Sequence, residues 1–245
     1  MFAWSVNVSL FITCLTDTFY PRVGQSVVEV LRRCGCAVSL PRGQTCCGQP
    51  MFNNGYHDDA RGLARRMIDL FDGSEYIVTP SGSCCAMVRE HYPKLLPDDA
   101  RCAAFVERTY EFVEFLHKVL KIDLRAMGCR WTGSATYHYS CHLRGLGMTD
   151  EAVQLLRQIE GLQYRPLERL DQCCGFGGTF AVKFSGVSGA MVEDKTQCVR
   201  RTGADVLVCN DGGCAMNISG ALHRAGATTR VMHIAELICE GWRAA

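Results

Sequence analysis

Residues 45–50 read Thr45-Cys46-Cys47-Gly48-Gln49-Pro50, and residues 173–177 read Cys173-Cys174-Gly175-Phe176-Gly177. The spacing around these two vicinal-cysteine stretches repeats. Cys14 lies 32 residues before Cys46, and Cys141 lies 32 residues before Cys173. Downstream, Cys84 follows Cys47 by 37 residues and Cys214 follows Cys174 by 40. The offset between halves is thus 127 residues for the first three cysteines and 130 for the last. The flanking text repeats too, with Ser81-Gly82-Ser83-Cys84-Cys85-Ala86-Met87 set against Asp211-Gly212-Gly213-Cys214-Ala215-Met216. Self-similarity at a fixed long period marks a tandem architecture. Two domains are expected, 1–125 and 126–245, with the join within 123–133.

Period and propensity place these cysteines on an α/β framework. Residues 6–13 read as a strand ending at Cys14, 23–33 as a helix, 37–40 as a short strand, 58–71 as a helix and 76–79 as a strand. Pro80-Ser81-Gly82-Ser83 reads as a turn opening a helix after Cys84, with Ser83 as its cap. The second half repeats this with strand 136–139, helix 150–159, helix 189–201, strand 206–208 and a helix after Cys214. Strand 231–234 and helix 235–240 close the chain. Alternating strands and helices predict parallel strands with flanking helices. Cys14, Cys84, Cys141 and Cys214 then follow strands, where open α/β sheets form binding crevices and helix N-termini favour thiolates.

Composition narrows the chemistry. The 245 residues are 48% hydrophobic and 21% charged, with 26 basic and 25 acidic side chains, the balance of a globular protein. No basic block marks a nucleic-acid or anionic-membrane partner; Arg32-Arg33, Arg65-Arg66 and Arg200-Arg201 read as solvated helix faces. The apolar run at 8–13 is far short of the roughly 20 residues of a membrane span and lacks the basic flank of an export signal, so a cytoplasmic protein is expected. Sixteen cysteines in that reducing compartment point to metal ligation or redox chemistry before disulfides. Cys34, Cys36, Cys102, Cys129, Cys198 and Cys239 share no spacing and read as core or surface filler.

Four thiolates per half suit a zinc ion or an iron–sulfur cluster. Neither half has the paired short knuckles of structural zinc, and neither has the C-x₂-C-x₂-C run of bacterial ferredoxins, so ligand type leaves the metal open. Gly48 and Gly175 read as sites of a positive φ or of close backbone approach to sulfur, or as plain turn glycines. His138 and His142 flank Cys141 as hydrogen-bond donors to sulfur; a Cys141–His142 nucleophile–base pair is disfavoured, since adjacent residues rarely aim at one substrate. No dinucleotide fingerprint, Walker A loop or H-E-x-x-H is present.

The C…CCG…C pattern, present twice, resembles the cysteine-rich CCG domain found in heterodisulfide reductases, in the iron–sulfur subunit of glycolate oxidase and in lactate utilization protein A. It resembles the last most closely, through the stretches at 45–50 and 80–84, Cys173-Cys174-Gly175-Phe176-Gly177-Gly178-Thr179-Phe180, Met216-Asn217-Ile218-Ser219-Gly220 and Val231-Met232-His233-Ile234-Ala235-Glu236. The resemblance implies iron–sulfur clusters, up to two per chain. Their ligands would be Cys14, Cys46, Cys47 and Cys84 in one half, and Cys141, Cys173, Cys174 and Cys214 in the other. It also implies a place beside other redox subunits in a multi-protein system oxidising L-lactate to pyruvate. The reductase motif ends in C-x-x-C and has five cysteines per half; here Ser81 and Asp211 replace the first of that pair. Four ligands suit a cubane [4Fe–4S] cluster, whereas five would recruit Cys85, Cys209 or the Ser81 and Asp211 oxygens. Lactate oxidation moves two electrons and a cubane normally one, so an electron carrier is expected rather than a complete enzyme. A thiol–disulfide oxidoreductase and a non-redox zinc protein are the alternatives.

Overall fold

The computed structural model describes residues 6–243; residues 1–5 and 244–245, the outer ends of the two expected domains, lie outside them. Two four-stranded sheets, all parallel, form the frame. In the first half, strands β1 (Val6–Leu10), β2 (Cys36–Ser39), β3 (Tyr76–Thr79) and β4 (Thr109–Glu111) take the order β2-β1-β3-β4. In the second, β5 (Arg130–Tyr137), β6 (Glu160–Tyr164), β7 (Val206–Cys209) and β8 (Arg230–His233) take the order β6-β5-β7-β8. An α/β fold of two pseudo-repeats results.

Register carries the duplication into three dimensions. Val8 pairs with Tyr76 and Leu10 with Val78, while Ala135 pairs with Val206 and Tyr137 with Val208. Each partner in the second sheet stands 127 or 130 positions beyond its counterpart, the offsets of the cysteines. A slip of one residue would turn every side chain to the opposite face, so shared register places the residues after β1 and β5, and after β3 and β7, alike.

The helices of the first half are α1 (Cys14–Phe19), α2 (Pro21–Arg33), α3 (Gln49–Asn53), α4 (His57–Leu70), α5 (Gly82–Ala86), α6 (Tyr92–Leu95), α7 (Ala100–Glu107) and α8 (Phe112–Glu114). Those of the second are α9 (Glu151–Gln158), α10 (Thr179–Lys183), α11 (Ser185–Thr202), α12 (Gly212–Arg224) and α13 (Ile234–Arg243). Helix α2 shows the local logic: Pro21 starts it, Val23, Val27, Val30 and Leu31 form its buried stripe, and Arg32 and Arg33 complement its C-terminal dipole. No described helix is long and apolar enough to cross a membrane.

The compact units are residues up to 120 together with 142–148, and residues 121–141 together with those from 149 on. The segment containing His142 therefore packs with the first unit, while Cys141 belongs to the second.

Several sequence expectations are refined. Strand β1 stops at Leu10 and Cys14 opens α1, with Thr13 extended at its N-cap. The cap of α5 is Ser81 rather than Ser83, because an N-cap side chain must reach the N–H two or three residues ahead; Ser81 Oγ accepts from Cys84 N at 3.2 Å. Cys84 and Cys214 accordingly lie within the first turns of α5 and α12 rather than before them. Strands β4 and β6 are additional to the expected elements.

Candidate metal centres

In the first unit the loop carrying Cys46 and Cys47 ends at Gly48, whose φ is +89°. A side chain there would be strained in the left-handed region, and its Cβ would lie 3.5 Å from the Ala60 backbone. The bend lets Gly48 N–H donate to Cys46 Sγ at 3.4 Å. In the second unit Gly175 has φ +81° and its N–H donates to Cys173 Sγ at 3.3 Å. Here a Cβ would meet Met191 Cβ and Ser188 O at 2.8 Å. The shared glycine is thus required by conformation in both halves and by space in the second.

The sulfurs meet. In the first unit Cys14 and Cys47 both hydrogen-bond to Cys46, and Cys47 also to Cys84. In the second, Cys141 and Cys174 hydrogen-bond to Cys173, and Cys174 also to Cys214. Each half thus threads its four expected cysteines into one chain of thiol contacts. The acceptor sulfurs become the strongest acids. Hydrogen bonds from Cys14 and then Cys47, with Gly48 N–H, bring Cys46 down to about 3. Cys141, Cys174 and the Gly175 N–H bring Cys173 to about 2. The donors Cys14, Cys47, Cys141 and Cys174 move up, chiefly because each gives its proton to a neighbouring sulfur, with desolvation adding to the shift; Cys47 and Cys174 are buried, Cys141 is half-buried and Cys14 is exposed. Cys214 falls to about 6, mainly through Cys174, with burial and Asp211 opposing and His138 assisting.

The surroundings hold the loops in place by different means. Tyr92 Oη donates to Cys47 O at 3.0 Å, whereas Asn217 Nδ2 donates to Cys174 O at 2.8 Å. The residue after the glycine reaches the one before the last cysteine in both halves. Gln49 Nε2 donates to Ser83 O at 3.2 Å, and the Phe176 ring covers Gly213, where a Cβ would lie 2.7 Å from it. Ser81 and Asp211 share the cap role, Asp211 Oδ1 accepting from Gly213 N at 3.0 Å and Cys214 N at 3.4 Å. The oxygens standing where the reductase motif has cysteine thus cap the helix that carries the last cysteine of each set.

The approach to Cys173 is fastened by charge. Arg169 forms two 2.7 Å bonds to Asp194, and Gln172 a third contact at 2.5 Å. Lys195, fully buried, donates to Arg169 O at 2.5 Å and Leu170 O at 3.4 Å. Burial lowers the Lys195 pKa, with Cys198 and Cys174 acting against that shift. In the first unit a neutral Gln44 does the fastening, donating to Leu10 O at 2.8 Å and accepting from Ile12 N at 3.0 Å. Lys195 was missed by sequence reasoning, although it lies between Val192, Cys198 and Val199 on the buried stripe of α11.

The remaining expected residues divide. His138 faces Cys214 and Cys173. His142 instead meets Gln49, their Nε2 atoms 3.4 Å apart, and neighbours His91. Cys85 is buried beside Arg89, Glu114 and Glu111. Cys209 lies buried at the end of β7 with Cys214 and Asp211 as neighbours, and burial raises it well above its ordinary value. Of the six cysteines read as filler, Cys36, Cys102, Cys129, Cys198 and Cys239 are buried and Cys34 is half-buried; none of the sixteen is in a disulfide.

Four convergent thiols, two backbone-supported thiolates and helix N-termini at the last cysteine of each set match the needs of a thiolate-bound metal or cluster, which requires deprotonated sulfur. The donor set fits the group.

Known proteins share this pattern. The Cysteine-rich domain (CCG) family profile matches residues 8–89 and 135–219, so each match contains one complete cysteine set. Lactate utilization protein A of Bacillus licheniformis is 49% identical over 238 residues, 95% of this chain and 99% of that protein. Lactate utilization protein A 2 of Bacillus cereus is 46% identical over 242 residues, 96% and 99% respectively. Among solved structures, Picrophilus torridus aspartate racemase overlaps with a TM-score of 0.39 at 11% identity, covering 98% of this chain and 94% of that one.

Proposed function

Because the chain belongs to the CCG cysteine-rich family, in the company of the lactate utilization A proteins, we propose that it is an iron–sulfur electron carrier in a multi-protein system oxidising L-lactate to pyruvate. The observation that carries this reading is the repeated chain of four hydrogen-bonded thiols, at the same sheet position in each half. Cys14, Cys46, Cys47 and Cys84 hold one centre, and Cys141, Cys173, Cys174 and Cys214 the other, each a [4Fe–4S] cluster. A bound cluster supplies one-electron transfer.

The protein's own groups prepare that role. Gly48 and Gly175 N–H groups hold Cys46 and Cys173 as thiolates, and the capped helix starts place amide dipoles at Cys84 and Cys214. Loading releases protons from the raised thiols, so metal affinity rises with pH. No described side chain acts as catalytic base on lactate in this account. Carbon–hydrogen cleavage belongs to partner redox subunits, with which this chain exchanges electrons in the cytoplasm.

The test is reduction by substrate. In anaerobic extract containing the partner proteins, L-lactate should bleach the visible sulfur-to-iron absorption of the purified chain, and pyruvate should form in proportion. Failure to bleach with lactate, when dithionite does bleach, would assign the carrier to a different substrate.

A further inference from the structure

The position after β1 and β5 is occupied by different chemistry in the two halves. Phe11 N donates to Val78 O at 2.9 Å and His138 N donates to Val208 O at 2.9 Å, residues related by the offsets of 127 and 130. The backbones are therefore equivalent, and the side chains face equivalent surroundings. Phe11 joins the apolar cluster containing Cys47 and Cys84 and meets Phe71 edge-on, with ring centroids 5.9 Å apart.

His138 is also fully buried, and neither ring nitrogen meets a protein oxygen or nitrogen at hydrogen-bond distance. The polar atoms it faces are sulfurs. One ring nitrogen, Cys174 Sγ and Cys214 Sγ all lie within 4.8 Å of one another, the only such trio of ligand atoms among the described residues. An imidazole withdrawn from water with no oxygen or nitrogen partner carries a desolvation cost, and imidazole is a good ligand for zinc and iron. Phe11 offers the first centre no counterpart.

We propose that His138 is a ligand of the second centre, placing an imidazole nitrogen beside the Cys174 and Cys214 thiolates, so that the second centre is a mixed sulfur–nitrogen site and the first is bound by sulfur alone. This rests on the reading that the cysteines hold metal, and it makes the two centres chemically distinct. A neutral nitrogen ligand brings no negative charge to the centre, so its potential lies higher than a further thiolate would set it, the trend seen where histidines replace cysteines in two-iron clusters.

The test uses the full chain purified without oxygen, with histidine unlabelled and ¹⁵N-labelled, reduced and examined by pulsed EPR. The expected result is a nitrogen coupling as large as that of a directly bound imidazole, altered by the label and abolished in His138→Phe, which installs the residue of the first half. A labelled wild-type chain with no histidine coupling, or only the weak coupling of an N–H···S hydrogen bond, overturns the proposal without recourse to any variant. Metal and sulfide content of the same sample judge the iron–sulfur reading separately. If zinc is present without sulfide, that reading fails and the zinc absorption-edge spectrum decides the ligand: a nitrogen scatterer lost in His138→Phe supports the assignment, and four sulfurs throughout overturn it. A chain that takes up neither metal overturns both.

Discussion

In the first unit the centre is braced by neutral groups: Gln49 on Ser83 O, Gln44 on the end of β1, Tyr92 on Cys47 O and Phe11 against the core. In the second it is braced by Phe176 over Gly213, Lys195 and Asp194 on the approach loop, Asn217 on Cys174 O and His138 facing the sulfurs. What the halves share is backbone: strand register, a positive-φ glycine after the vicinal pair, an N–H on its first sulfur and a capped helix at the last. The comparison teaches that the constellation of thiols is fixed by main-chain geometry, leaving the side chains around it free to tune each centre.

That division can be broken at several levels. The largest effect is expected at the ligands. Cys174→Ser should remove the second centre and Cys47→Ser the first, each lowering iron per chain by about half if each site holds one four-iron cluster. Iron assay with EPR checks this, and loss of both centres from either substitution would show that the halves do not load independently. Next comes Lys195→Met, which removes a fully buried donor from the Arg169 and Leu170 carbonyls and should cost about 1–3 kcal/mol in urea unfolding. Gln44→Met in the first unit should cost less, because Gln44 is half-buried where Lys195 is fully buried.

The glycines sharpen the contrast further. Gly48→Ala should cost about 1–2 kcal/mol for the left-handed backbone, and Gly175→Ala more, since its Cβ also collides with Met191 and Ser188. Equal losses in denaturant titration would mean that the close approach in the second unit relaxes without cost. The smallest effects belong to the caps: Ser81→Ala and Asp211→Ala should each lower stability by about 1 kcal/mol, read as a reduced melting temperature with iron content retained. Loss of iron instead would make these oxygens part of the centre.

Much of this arrangement was legible in the sequence because it is local. The doubled C…CCG…C spacing identified eight residues that the fold brings into two groups of four, and the apolar runs at 76–79 and 206–208 read directly as strands, observed as Tyr76–Thr79 and Val206–Cys209. What escaped depends on neighbours distant in the chain. Strand β6, Glu160–Tyr164, is an edge strand with two exposed residues at its start and no apolar run to reveal it, and β4 is three residues long. The cap at Ser81 rather than Ser83 turns on a one-turn helix start that composition does not distinguish. His142, the residue after Cys141, meets Gln49 across 93 positions of sequence, whereas His138, three residues before the same cysteine, faces the sulfurs. Distance along the chain was a poor guide to either.

The central claim is that these two thiol constellations hold iron–sulfur clusters, and the most direct measurement is iron, zinc and acid-labile sulfide per chain on protein purified without oxygen. The account predicts about eight irons and eight sulfides, corresponding to two [4Fe–4S] clusters, with little zinc. Stoichiometric zinc with no labile sulfide would contradict it and make the duplicated cysteines a structural scaffold.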